Sequence, residues 1–187
     1  MKKGEANRKR IVDAANQLFY HKGYNQTAFS EVAEASGIPK GNFYYYFKSK
    51  EELLEAVIDQ RIEDIRCMLD EWQQRLATPR ERLHRFTRIP LNEIDDVVRY
   101  GCPMGSLNVE LGKTQLHLKS RASEMFDLFI NWLEKQFAEM SYREQARGYA
   151  LHLFANAQGA ALVGSVYSDR MFIKAEVTRM DDWIDTL

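Results

Sequence analysis

The residues best suited to chemistry crowd into one short stretch. Within KGNFYYYFKSK, the side chains of Lys40, Asn42, Tyr44, Tyr45, Tyr46 and Lys50 supply ammonium, amide and phenol groups. Such groups donate to phosphate oxygens and to base edges. Tyr44, Tyr46 and Lys50 are expected to grip phosphates and set register. Lys40, Asn42 and Tyr45 are candidates for base edges, since Asn pairs bidentately with adenine in the major groove. Gly41 among them allows close backbone approach. Elsewhere the pattern for chemistry is missing. The histidines 21, 84, 117 and 152 are scattered without ligand spacing. No phosphate-cradling Gly-rich loop and no nucleophile elbow occurs. The chain is therefore not expected to be an enzyme, and no catalytic residue, metal site or cofactor is assigned.

The positioning elements read outward from this stretch. Phe43 and Phe47 are four apart and share one helix face, while Lys40 and Tyr44 share another. Pro39 suits a first helical turn. Gly37 precedes it where a turn is needed, and Ile38 can plug that turn into the core. Val32 and Ala33 mark a short helix before the turn. Ile11, Ala14, Ala15, Leu18 and Phe19 form the stripe of a first helix over about 6–21, stopped at Lys22-Gly23. Residues 1–8, polar and basic, are expected to begin as a flexible arm that brushes the minor groove or phosphates, or else as a frayed terminus. Thr27 is placed to cap the second helix, with Glu31 near its first turn.

The segment GIPKGNFYYYFKSKEELL resembles the signature of the TetR family of one-component transcriptional regulators. The matching positions are Gly37, Ile38, Gly41, Phe43, Tyr44, Tyr45, Tyr46, Phe47, Lys50, Glu51 and Leu53. Asn42 departs from the Thr or Ser usual there, which alters the expected operator more than the class. The resemblance implies a homodimeric bacterial regulator. Most commonly such a protein is a repressor released from a palindromic operator by a small-molecule effector. It implies a phosphate contact at Thr27 as well as the cap. The sign of regulation stays open, since an activator that needs its ligand reads the same way. A helical enzyme or carrier with a vestigial head is a third reading, opposed by the basic, phenolic face around Lys40 and Tyr44.

Composition agrees with an all-α protein. Of 187 residues 45% are hydrophobic, with four Pro and ten Gly. Residues 1–50 hold nine Lys or Arg against four acids, a net +5, while the remainder nets −6. A basic head on an acidic body points to a polyanion partner for the head. The expected organisation is a three-helix helix-turn-helix head over 1–50 and a helical-bundle body for ligand binding and dimerisation over 51–187. Two distant cysteines, no apolar leader after MKKG and no apolar run long enough for a membrane suit the cytoplasm.

In the body, Ser49 should cap a long helix to Leu76, the mechanical link from the head. Thr78-Pro79 should start a helix to about Val98, kinked or broken at Pro90. A short helix to about Leu111 is expected next, then a break at Gly112-Lys113-Thr114, and a helix over about 115–140. Ser141 should open another to about 168, and a last one should cover about 171–184. Small residues on the penultimate helix suit close packing. The resemblance implies a dimer interface there, at Gly159, Ala160, Gly164 and Tyr167. Trp72, Phe86, Tyr100, Cys102, Met104, Phe126, Phe129 and Phe154 are candidate walls of an effector pocket, with Asn108 and Gln158 as polar contacts. Cys102, between Gly101 and Pro103, is open to two readings: a thiol that senses electrophiles or oxidants, or an inert buried one. Cys67 is assigned a structural role.

Overall fold

The structure, a computed structural model, describes residues 3–187; the side chains of Lys3, Thr114 and His117 fall outside that description, as does the Lys2 part of the expected arm. It is all-helical, with no strand among the described residues. Two compact units divide the chain: residues 1–64 with 106–123, and residues 65–105 with 124–187.

The first unit begins with α1 (Lys3–His21), so the expected arm is helical from Lys3 onward. Then come α2 (Phe29–Ser36) and α3 (Lys40–Tyr46). The first part of α4 (Lys50–Arg75) completes the head, and the Ser49 hydroxyl caps it by accepting from Glu52 N–H at 3.1 Å. Ile11, Ala15, Val32, Phe43, Phe47, Leu53, Leu54 and Val57 are buried together in this unit. Each fully buried Phe or Leu contributes about 1.5–3 kcal/mol relative to exposure. Most of α8 (Pro103–Thr114) also belongs here, with Leu107 and Leu111 buried. The helix runs through Gly112 and Lys113, and the chain breaks only at Gln115. Burial of Leu111 outweighs the roughly 1 kcal/mol that a helical Gly costs.

In the second unit, Thr78 accepts from Glu81 N–H and the Glu81 carboxylate accepts from Thr78 N–H, a reciprocal cap on α5 (Pro79–Thr87). The expected single helix to Val98 is three: α5, α6 (Ile89–Asn92) and α7 (Ile94–Tyr100). Pro90 lacks the N–H that would continue α5, so the break falls just before it. α9 (Leu116–Glu139) contributes its residues from 124 onward. Ser141 does not open the next helix. It sits at φ 78, and α10 (Ala146–Val166) begins five residues later. Asp169 then caps α11 (Arg170–Asp185), accepting from Met171 and Phe172 N–H.

Several buried polar groups in this unit are paired, although the Trp132 indole N–H is buried without a partner among the described residues. Arg82 is 8% exposed, and its guanidinium donates to Leu76 O, Gln136 Oε1, Glu139 Oε2 and Gln73 O. His84 lies between Asp181 and Asp185 at 2.9 and 3.0 Å, tying α5 to α11. Cys67, assigned a structural role from its place in α4, is exposed. No helix among the described residues is long and apolar enough to cross a membrane.

Candidate nucleic-acid interface and effector cavity

The turn between α2 and α3 is built from local signals. Gly37 ends α2 at φ 63, ψ 23, a left-handed conformation that glycine adopts without a Cβ clash, and its N–H donates to Glu34 O. Arg10 on α1 reaches over to donate to Ser36 O at 2.8 Å. Ile38 is buried and plugs the turn. Pro39 O then accepts from Asn42 and Phe43 N–H, opening α3.

Phe43 and Phe47 are fully buried, and the Phe29 ring meets Phe43 edge to face at 4.9 Å. This anchor leaves Lys40, Gly41, Asn42, Tyr44 and Tyr45 exposed on the other side of α3. Tyr45 is 77% exposed. Nothing lies within 4 Å of where a Cβ on Gly41 would stand. Lys48 was not among the expected contacts. It stands 5.9 Å over the Tyr45 ring and donates to Tyr44 O.

Three expected contacts are held differently. Thr27 does not cap α2; the residue before α2 is Ala28, whose N–H donates to Glu31. The Thr27 hydroxyl turns inward to Gly23 O at 2.7 Å and Leu18 O at 3.3 Å, leaving the residue 1% exposed. The Tyr46 hydroxyl accepts from Asn7 at 3.2 Å. Lys50 is half-buried, its Nζ 4.3 Å over the Tyr24 ring. Burial pushes the Lys50 ammonium below its ordinary value, against the pull of Glu110 and Glu31.

Glu110 is the residue that sequence reasoning missed. Its carboxylate accepts from the N–H groups of Tyr24 and Asn25 at 2.9 and 2.6 Å, clamping the turn between α1 and α2. It also stands 3.4 Å from the Cβ position of Gly23. Burial, then the charges of Glu51 and Glu110, push the Tyr24 phenol up. No local signal marks an acid more than eighty residues from its partners.

The second unit encloses a cavity of about 80 Å³. Of the expected pocket residues, Phe86, Cys102, Met104, Phe129, Phe154 and Gln158 line it. The other four stand elsewhere. Trp72 packs on Trp132 and under Arg85, and Tyr100 lies beneath Arg99. Phe126 backs Phe154 from behind at 4.8 Å without lining the space. Asn108 belongs to the first unit, its amide donating to Ala122 O. Among the described residues no cluster of His, Cys, Asp and Glu is arranged to hold a metal ion.

The expected dimer residues divide likewise. Ala160 and Gly164 are buried within their own chain; a Cβ on Gly164 would stand 2.3 Å from Ile173 Cγ1. That face of α10 is occupied by α11. Gly159 has open space around it, and Tyr167 is 76% exposed. The unpartnered apolar side of α10 is instead Leu151, Leu162 and Val166, continued by Tyr167 and Met171.

Comparison with known proteins agrees with the head geometry. The profile described as "Bacterial regulatory proteins, tetR family" matches residues 11–57. An uncharacterised helix-turn-helix regulator from the lacX 3′ region of Lactococcus lactis is 31% identical over 137 residues, covering 71% of this chain and 66% of that protein. The repressor DhaR of a Mycobacterium species, strain GP1, is 25% identical over 133 residues, again covering 71% and 66%. The chain thus matches about two thirds of the length of these relatives. A TetR transcriptional regulator from Chloroflexus aurantiacus superposes with a TM-score of 0.85 at 25% identity, covering 99% of this chain and 97% of that one. A buried Phe43–Phe47 anchor under an exposed donor face, the matched head and the shared all-helical fold lead to one conclusion: this chain belongs to the TetR family of helix-turn-helix transcriptional regulators.

Proposed function

We propose that the chain is a homodimeric repressor that holds a palindromic operator through two copies of α3 and is released by a small molecule bound in the second unit. The carrying observation is the exposed face of α3. Lys40, Asn42, Tyr44 and Tyr45 stand out from a helix whose other side is fully anchored. Gly41, Tyr46 and Lys50 stay in the proposed contact set, the last two once their ties to Asn7 and Tyr24 loosen on DNA. Thr27 is left out because its hydroxyl is turned inward. Palindromic reading needs two heads roughly 34–36 Å apart. The exposed apolar side of α10 supplies the surface for a second copy. The similarity to the repressor DhaR supports repression over activation.

Release follows if the effector favours a state with the heads misplaced. Weakening operator binding a hundredfold requires about 2.7 kcal/mol of coupling. α4, α8 and α9 each have residues in both units and are the covalent routes for it.

The test is a footprint of the purified protein on DNA from upstream of its own gene, with excess unrelated DNA present. Two symmetric protected halves, lost in Tyr44→Ala while the dimer stays folded, are expected. Retained protection in that variant would refute the docking of α3. A second reading rests on Cys102, whose Sγ lines the cavity and accepts from Gly105 N–H at 3.4 Å. If release follows alkylation of this thiol, Cys102→Ser will hold its operator in the presence of iodoacetamide and the parent protein will not.

A further inference from the structure

The cavity in the second unit has a chemistry that narrows its occupant. It is walled by Phe86, Phe129 and Phe154, closed by aliphatic side chains, and flanked by Cys102 and Met104. No Asp, Glu, Lys, Arg or His is among its lining residues. A charged guest would be buried without a counter-ion, which is strongly unfavourable. The guest is therefore neutral.

The walls favour a ring. Phe86 and Phe154 stand 6.3 Å apart with their planes inclined by 30°, and Phe86 and Phe129 stand 5.7 Å apart at 58°. Aromatic faces at such spacings attract a further ring by offset or edge contact. Benzene fits an apolar cavity of roughly 150 Å³, so a space of about 80 Å³ admits one ring if Met104 shifts. Met104 is half-buried and unbranched, the side chain best able to do so.

One polar group remains. The Gln158 amide lines the cavity, and among the described residues it has no hydrogen-bond partner. Its Oε1 stands 3.0 Å from where a Cβ on Gly105 would be, so a side chain at Gly105 would crowd it. A primary amide both donates and accepts. A hydroxyl does the same, so it is satisfied whichever way the amide is turned.

We propose that the effector is a single-ring neutral phenol, with its hydroxyl on Gln158 and its ring against the three phenylalanines. This rests on the reading of the second unit as the effector site. Calorimetry and ligand-observed NMR on the full chain with phenol, toluene and benzoate test it without DNA. Phenol should bind about tenfold more tightly than toluene, the worth of one buried hydrogen bond, and benzoate should not bind measurably. Gln158→Met should bring phenol down to the level of toluene. If that variant does not fold, Gln158→Leu serves the same purpose. Benzoate binding as well as phenol, toluene matching phenol in the parent, or an unchanged preference for phenol in the folded variant would each overturn the proposal. Failure of phenol to bind, with the operator footprint intact, would sink the ligand class alone. Phenol binding with no operator footprint would sink the regulator reading alone.

Discussion

Gly41→Ala separates what the fold asks of α3 from what DNA asks of it. Gly41 is the second residue of a seven-residue helix, and a Cβ there would meet nothing within 4 Å. Glycine in a helix is less stable than alanine by about 0.5–1 kcal/mol. Nothing around it inside the molecule offsets that loss. The alanine variant should therefore melt about 1–4 °C higher, on the scaling for a chain of this size. On DNA the same methyl group stands between Lys40 and Asn42, on the face proposed to meet the sugar-phosphate backbone. Losing one hydrogen bond to a charged phosphate costs about 1.5–3 kcal/mol, roughly ten- to a hundredfold in Kd. Fluorescence anisotropy on the footprinted operator, at one fixed salt concentration, reads the second effect, and a thermal melt reads the first. Opposite signs are expected: a more stable protein and a weaker binder. Unchanged or tighter operator binding would refute the close approach at Gly41. A lower melting temperature would refute the claim that the outer side of α3 is sterically empty.

Glu110→Gln should speed hydrogen exchange at the Tyr24 and Asn25 amides and cost about 1 kcal/mol, because a charged acceptor of two N–H groups becomes a neutral one; unchanged exchange at both would show the clamp to be idle. Two carboxylates make the protein acid-sensitive. Lys22 and the Ala28 N–H hold Glu31 below its ordinary 4.5, and the Thr78 N–H does the same for Glu81. Their contribution is complete above pH 4.5 and is lost as pH falls through the lower folded values. The melting temperature should therefore drop in that window, and the Glu31→Gln, Glu81→Gln double variant should show a flatter slope there. Gly164→Ala should destabilise by about 1–3 kcal/mol, since its Cβ would overlap fully buried Ile173. Adding Ile173→Ala should relieve part of that, giving a coupling of at least about 0.5 kcal/mol in the double-mutant cycle.

The head and the start of α5 were legible because their signals are local. Gly37, the Phe43–Phe47 spacing, Ser49 before two acids, and Thr78-Pro79 each act within one helical turn, and each does in the fold what its residue type suggests. Where a residue had two local options, the reading failed. Thr27 had the α2 amides ahead and the Gly23 carbonyl behind, and its hydroxyl took the carbonyls. Gly112 had the form of a stop, yet buried Leu107 and Leu111 carry α8 through it. Glu110 lay beyond any local rule, since its partners arrive only through tertiary packing. The cavity was legible as a list of candidate residues, but which of them face the space depends on how the helices that carry them, α4, α5 and α7 to α10, are turned. Trp72, Tyr100, Asn108 and Phe126 turned away.

α10 shows why orientation was the hard part, and what its misreading implies. It is apolar on nearly every side, so no periodic stripe marks an inner face. Small residues suggested the contact with a second copy, but Ala160, Ala161 and Gly164 are all buried at home. Gly164 loses helix stability as any glycine does, and the closeness of Ile173 offsets it within the chain. Gly41 suffers the same loss with nothing in reach. The exposed Leu162, Val166 and Tyr167 are likewise unsupported by any burial of their own. An exposed apolar stripe on a fold that otherwise packs its apolar groups marks an interaction surface. Among the described residues, features that the isolated chain leaves uncompensated thus include the outer face of α3 and the outer face of α10. Those are the places where operator DNA and a second protomer would supply what the single chain lacks.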